Sequence, residues 1–330
     1  MATETPQDKV PEPTTSVMEW LLDSDPSIRW QVMRDLCGES DEAVARERSR
    51  VAYVGWGARL LDCQRPDGMW GDGASAPQWQ STLCSMVLLR DLGLDATNER
   101  ARRAVALVCD RVTWGPEFGN SPFFEGEVEP CINGRVLALG VYFGQSSNRL
   151  LDRLLGEQLA DGGWNCEAER GSVRSSFHTT ICVLEGLLDF EKANDVSAGV
   201  TDARVRAQEY LLERRMLRRL STGEVIKDRK GNQDWTRFSF PTTWKYDVLR
   251  GLDYLRSASV APDERVAEAI LLVKQRRHED RRWPLDEPHL DPFDFDMEGG
   301  TGVPSRWNTL RAMRVLNWYS SRTQERCGGG

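Results

Sequence analysis

Gln158-Leu-Ala-Asp-Gly-Gly-Trp164, followed by Phe177-His178-Thr-Thr-Ile-Cys182-Val-Leu-Glu185-Gly-Leu-Leu188, decides the fold. The first stretch is a turn. Its Asp-Gly step favours a tight reversal with a residue at positive φ, and its tryptophan offers a large apolar area that can fix the reversal against whatever follows. The second stretch is a buried helix, with small and apolar residues at helical spacing. Both recur. Gln64-Arg-Pro-Asp-Gly-Met-Trp70 is a second copy of the turn, and Gln275 to Trp283 a degenerate third. The helix recurs in six units that open at Trp30, Trp79, Cys131, His178, Trp244 and Trp307. In the last five units the residue five positions on is Cys84, Val136, Val183, Leu249 or Ala312, and eight positions on it is Val87, Leu139, Gly186, Leu252 or Val315.

Between these units the pattern changes to amphipathic helices, expected near 42–62, 97–112, 147–159, 202–219 and 263–276. They carry arginine and glutamate on one face, as helices on the outside of a larger body should. Thr201-Asp202 and Pro262-Asp263-Glu264 are plausible starts, since acids suit a helix N-terminus. Repeats of this kind must stack to bury their apolar faces.

Composition narrows the class. The 330 residues are 40% apolar and 28% charged, a globular balance. The longest apolar runs fall far short of the ~20 residues of a membrane span. A net charge of −8 argues against a general nucleic-acid binder, which needs a basic face. The basic run Arg214, Arg215, Arg218 and Arg219 reads as a solvated helix face. Residues 1–15 are polar, proline-bearing and without an apolar signal core. The expected organisation is a flexible tail over 1–15, a single domain over 16–325 and a flexible end over 326–330. Eight cysteines without a Cys-x-x-Cys pair, and no export signal, point to the cytoplasm, where disulfides are rare. Cys63, Cys84, Cys109 and Cys182 read as small core residues.

Turns of the form Q-x-x-D-G-x-W between alternating helices resemble the terpenoid cyclase and protein prenyltransferase superfamily, with its squalene-cyclase-type repeats. The resemblance covers about residues 15 to 320. It implies an all-α fold, an α/α toroid of six inner helices wrapped by outer ones, around a central apolar cavity. A HEAT-type solenoid is the alternative architecture.

One feature of the unit heads suggests chemistry. Four are tryptophan, while the adjacent third and fourth are Cys131 and His178, both metal ligands. Neighbouring helix axes lie ~8–10 Å apart, so one ion could bridge them. Cys166 lies between them in sequence, and Glu129 two residues before Cys131. Zinc accepts sulfur, nitrogen and oxygen, and a catalytic site keeps three protein ligands and an open position. The alternative is a small buried cysteine and a histidine satisfied by a backbone carbonyl. The pattern is similar to the zinc site of protein prenyltransferase β subunits, with Glu129-x-Cys131 where that family has Asp-x-Cys. It is also similar in kind to the two-cysteine, one-histidine site of lanthionine cyclases. These resemblances imply a zinc cofactor held by Cys131, His178 and either Cys166 or Glu129, and softness favours Cys166.

Two further groups are candidates. Asp294 and Asp296 belong to the acidic run 286–298, and a carboxylic acid kept neutral by an apolar pocket can protonate an alkene. With Glu129 they form the candidate catalytic set, although Asp294-x-Asp296 is not the Asp-x-Asp-Asp motif of class II terpene cyclases. Trp79, Trp244, Trp307, Phe124 and Trp235 are candidate substrate-binding rings, able to face a carbocation or simply to pack. Lys227, Arg229 and Lys230 form a basic loop that could meet a diphosphate. The resulting expectation is a zinc-dependent transferase or cyclase acting on a hydrophobic, isoprenoid-like small molecule. The alternatives are a metal-independent cyclase with an aspartic acid as proton donor, and a non-catalytic toroid that binds a hydrophobic ligand or protein.

Overall fold

The computed structural model describes residues 16–72, 77–116, 119–145, 148–194, 198–227, 234–288 and 297–327. Six segments form the inner wall: α2 (Pro26–Val32, continued as a π-helix to Cys37), α5 (Gln78–Leu92), α7 (Pro130–Phe143), α9 (Phe177–Ala193), α11 (Val248–Ser257) and α13 (Arg306–Cys327). Outside them run α3 (Asp41–Ser49), α4 (Trp56–Asp62), α6 (Glu99–Arg111), α8 (Asn148–Gly156), α10 (Ala198–Glu213) and α12 (Ala267–Gln275), and α1 (Val17–Leu22) precedes the ring. The inner helices follow one another around the ring in chain order. Trp30 Nε1 donates to Leu92 O at 2.9 Å, joining α2 to α5. α5 packs on α7, α7 on α9, and α11 on α13. Arg250 of α11 pairs with Glu185 of α9 at 2.6 Å. Arg314 of α13 donates to Gln31 of α2 at 2.8 Å and closes the circle. The toroid expected from the repeats is therefore formed.

The glutamine-to-tryptophan turns explain how inner and outer layers are tied. Trp70, Trp164 and Trp283 each donate Nε1 to a carbonyl on the preceding outer helix, that of Leu60, Leu154 and Val273, at 2.8, 2.7 and 2.6 Å. Their backbone N–H groups donate to Thr82, Thr180 and Thr309 on the next inner helix, at 3.1, 3.1 and 3.0 Å. All three rings are buried. Burying an indole of this size contributes roughly 4–6 kcal/mol of transfer free energy before ordering costs. The polar handle is satisfied at both ends, so the desolvation cost is met by hydrogen bonds.

Several expected boundaries shift. The outer helix expected at 42–62 breaks into α3 and α4 because Asp25, the N-cap of α2, reaches across to accept from Trp56 N at 2.8 Å. Gly55, at φ +77°, lies so close to that carboxylate that any Cβ would collide with it. The helix expected to Arg219 stops at Glu213, where Arg215 and Met216 turn to positive φ. Cys84 and Cys182 are buried as expected, but Cys63 and Cys109 are exposed. Strand is confined, among the described residues, to two short pairs: β1 (Ser239–Phe240) parallel to β3 (Glu287–Pro288), and β2 (Trp283–Pro284) antiparallel to β4 (Pro304–Ser305). No helix among the described residues is long and apolar enough to cross a membrane.

Candidate functional site

The N-terminal ends of the inner helices carry the thiols. Cys131 opens α7 behind Pro130, and Cys166 begins a short 3-10 turn that Asn165 caps. Their sulfurs stand 3.0 Å apart. Glu129 Oε2 lies 3.7 Å from Cys131 Sγ, and one ligating atom from each of Glu129, Cys131 and Cys166 lies within 4.8 Å of the others. Thr179, on α9, donates its hydroxyl to Cys166 Sγ at 3.4 Å. The hydrogen bond between them draws the Cys166 thiol down, and the same contact with burial pushes Cys131 up. All three residues are partly exposed.

His178 stands beside this group without joining it. Its Nδ1 accepts the backbone N–H of Tyr246 at 2.8 Å, and its ring stacks on Trp235 with centroids 4.8 Å apart. Desolvation, with repulsion from Arg250, pushes its pKa down to about 4. A neutral imidazole whose Nδ1 accepts must carry its proton on Nε2. A metal-bound histidine has the reverse arrangement, in which the free nitrogen donates to a carbonyl or carboxylate. Glu129, Cys131 and Cys166 are the residues whose ligating atoms converge within 4.8 Å among the described residues, and His178 is not in that cluster.

Sequence reasoning missed Glu127. It is buried, its Oε1 accepts Glu129 N at 2.8 Å, and Asn133 brackets its backbone at 2.8 and 2.6 Å. Burial pushes its carboxyl up to about 7. It fixes the loop that presents Glu129. The only clue in the sequence was an acidic residue two positions before another.

The central cavity departs most from expectation. It encloses about 300 Å³. Its wall is not apolar. Arg135, Arg250 and Arg311 project into it one turn below the helix starts, and Glu185, Asp253 and Arg314 a turn further down. Asp91 and Asp189 follow near the far end. These residues sit four, seven and eleven positions after Gln80, Cys131, His178, Tyr246 and Trp307, the spacing of one helix face. Gln31 and Arg34 fit the same spacing counted from Ser27. Three unit heads were therefore misaligned: Ser27 replaces Trp30, Gln80 replaces Trp79 and Tyr246 replaces Trp244. The apparent column of tryptophans dissolves, and Trp30 lies instead against the end of α5 at Leu92 and Gly93.

The segment 239–247 lies across the N-terminal end of the ring. Thr243 O accepts from Arg135 and, at 3.2 Å, from Arg250, and Lys245 O accepts from Arg250 at 2.6 Å. Phe240 stacks on Trp307 at 4.2 Å. Glu129, Cys131 and Cys166 do not line the charged cavity. Of the candidate rings, Trp307 is buried in the cavity wall and Phe124 is buried against Phe123. Trp79, Trp235 and Trp244 are half-buried: Trp79 lies edge-on to Trp114 at 5.3 Å, Trp235 covers His178, and Trp244 carries the Arg135 guanidinium at 5.4 Å. Asp294, Asp296, Arg229 and Lys230 lie outside the described residues, and Lys227 is exposed.

No known protein family matches the chain, and no curated protein matches it. Among solved structures it is similar to the type II terpene cyclase MstE from Scytonema in its apo form, with 18% identity over 88% of this chain and 86% of that one and a TM-score of 0.45. It is also similar to a variant of that cyclase in complex with its substrate geranylgeranyl dihydroxybenzoate, with 17% identity over 88% and 86% of the two chains and a TM-score of 0.43. Neither likeness is close enough to transfer a site residue.

Proposed function

We propose that this chain is a zinc-dependent enzyme of the transferase or cyclase kind, working at the N-terminal mouth of the ring. The observation that carries this reading is the convergence of Glu129, Cys131 and Cys166 within 4.8 Å. Two sulfurs and one carboxylate are a donor set that zinc accepts, and three protein ligands leave one position open. When bound there, the ion supplies a Lewis acid for a thiol, hydroxyl or water of the substrate. The chain does the rest. Thr179 orients Cys166 through its hydroxyl. Glu127 holds the Glu129 amide, and burial pushes its carboxyl up to about 7. His178 offers an Nε2–H donor from a fixed ring. The half-buried faces of Trp79, Trp235 and Trp244 support an apolar substrate chain at the mouth, and an isoprenoid is the substrate class proposed. The charged wall below makes the deep cavity a poor place for that chain, since burying unpaired charge against hydrocarbon is costly.

Cobalt substitution tests the reading at the ligand atoms. Metal-free protein titrated with Co²⁺ should develop sulfur-to-cobalt charge-transfer absorption that saturates at one ion per chain. Cys131→Ser and Cys166→Ser should each weaken that band, and Glu129→Gln should shift the ligand-field bands while keeping it. Absence of any sulfur-to-metal band in the wild type would overturn the proposal.

A further inference from the structure

We propose that the central cavity binds a small organic anion, a phosphate or a carboxylate, admitted from the end of the ring where the inner helices finish. The wall presents seven arginines against four carboxylates. Those four are already engaged: Asp189 and Asp91 by Arg90, Glu185 by Arg250 and Asp253 by Arg256. Arg34 and Arg314 share Asp35, which stands behind the wall. Arg311 donates to Ser239 O at 3.3 Å and Asn308 Oδ1 at 3.4 Å, and its one carboxylate among the described residues is Asp247 at 3.9 Å, whose pKa burial raises. Arg135 has a carbonyl and an indole face, and no carboxylate within ion-pair distance among the described residues. A buried guanidinium without a counter-charge costs several kcal/mol.

The unpaired donors agree. Trp307 Nε1 and Arg314 Nε are buried at the cavity wall with no hydrogen-bond partner among the described residues, and both are donors. A wall whose unpaired groups are all donors, and whose surplus charge is positive, is matched by an oxyanion. Planar guanidinium forks suit phosphate and carboxylate oxygens alike. The volume of about 300 Å³ holds a small organic molecule and excludes a long isoprenoid. Access follows from the far end. A second opening of about 510 Å³ shares Arg34, Arg90, Asp91 and Asp189 with the cavity and adds Tyr142 and Lys192 from the last turns of α7 and α9. The N-terminal end is covered by the segment 239–247, so the anion and the thiol group are reached from opposite sides.

The test uses the full chain, stripped of metal so that the result does not depend on the zinc reading. Inorganic phosphate, diphosphate and citrate are titrated by calorimetry at constant ionic strength, with chloride as the control. Saturable binding at one site is expected for at least one of the three, and the ranking of phosphates against citrate identifies the source. Arg135→Gln and Arg311→Gln should each weaken it tenfold or more. Arg215→Gln, on the exposed surface, should leave it unchanged. If the cavity variants do not fold, thermal melting of the wild type decides: a saturable rise with the same probe, absent with chloride, supports the site. No saturable binding and no rise in melting temperature with any of the three overturns the proposal, as does unchanged affinity in both folded variants.

Discussion

Gly186 of α9 lies directly against the backbone carbonyl of Gly134 on α7, and a Cβ on Gly134 would in turn come within 2.6 Å of Cys182 O. The two helices that carry His178 and Cys131 are therefore in backbone contact, with no side chain to yield. Gly134→Ala should cost about 1–3 kcal/mol through overpacking and displace α7. Chemical denaturation read by circular dichroism should show a lowered midpoint with an unchanged slope. A midpoint equal to the wild type's would mean that the helices are further apart than described.

The tryptophan turns make a second prediction. Thr180 accepts the backbone N–H of Trp164 through its hydroxyl while the indole reaches Leu154 O. Thr180→Val keeps the shape and leaves a buried N–H without an acceptor, a loss of about 1–3 kcal/mol. Thr82→Val and Thr309→Val should lose similar amounts, because their hydroxyls serve the same purpose at Trp70 and Trp283. Comparable destabilisation in all three variants, measured by urea unfolding, is expected. A neutral result in all three would show that the turns are not tied in this way.

His178 gives the pH dependence its sign. Its pKa is about 4 in the fold and about 6.5 in an unfolded chain. Between those values the unfolded state binds more protons, so this contribution is complete above about pH 6.5 and is lost as pH falls toward about 4. His178 is exposed, so solvent screening leaves only a small fraction of the full linkage. His178→Gln, which can still accept from Tyr246, should flatten the fall of melting temperature over that interval. An NMR titration of the wild-type ring should place its midpoint well below 6.5. A midpoint at or above 6.5 would contradict the downward shift.

The ring itself was legible because the turns are written in residue types with narrow physical roles. Asp67-Gly68 and Asp161-Gly162 make the reversal, Trp70 and Trp164 pin it, and each motif names the outer helix before it and the inner one after. Register inside the inner helices was harder. Tryptophan at positions 30, 79 and 244 suggested a common level, but large rings are placed by whatever cavity fits them. The better guide was the set of charged residues embedded in apolar helices. Arg135, Glu185, Arg250 and Arg314 interrupt otherwise buried faces at four and seven positions from each true start, and together they encode a polar cavity. The thiol group was legible as Cys131 and Cys166 flanking one turn. The sequence pairs Cys131 with His178 and leaves Cys166 and Glu129 to compete for a third place; the atoms that converge are those of Glu129, Cys131 and Cys166, while His178 accepts the Tyr246 backbone N–H, 68 residues away in sequence.

Metal content of the purified protein tests the central claim most directly. Protein prepared without a metal-binding tag and analysed by elemental mass spectrometry should carry one zinc per chain. His178→Gln should keep that zinc. Cys131→Ser and Cys166→Ser should lose it while circular dichroism shows the same helical content. A wild type that contains no zinc after growth with zinc supplied, or full zinc in both cysteine variants, would contradict the assignment of Glu129, Cys131 and Cys166 as its ligands.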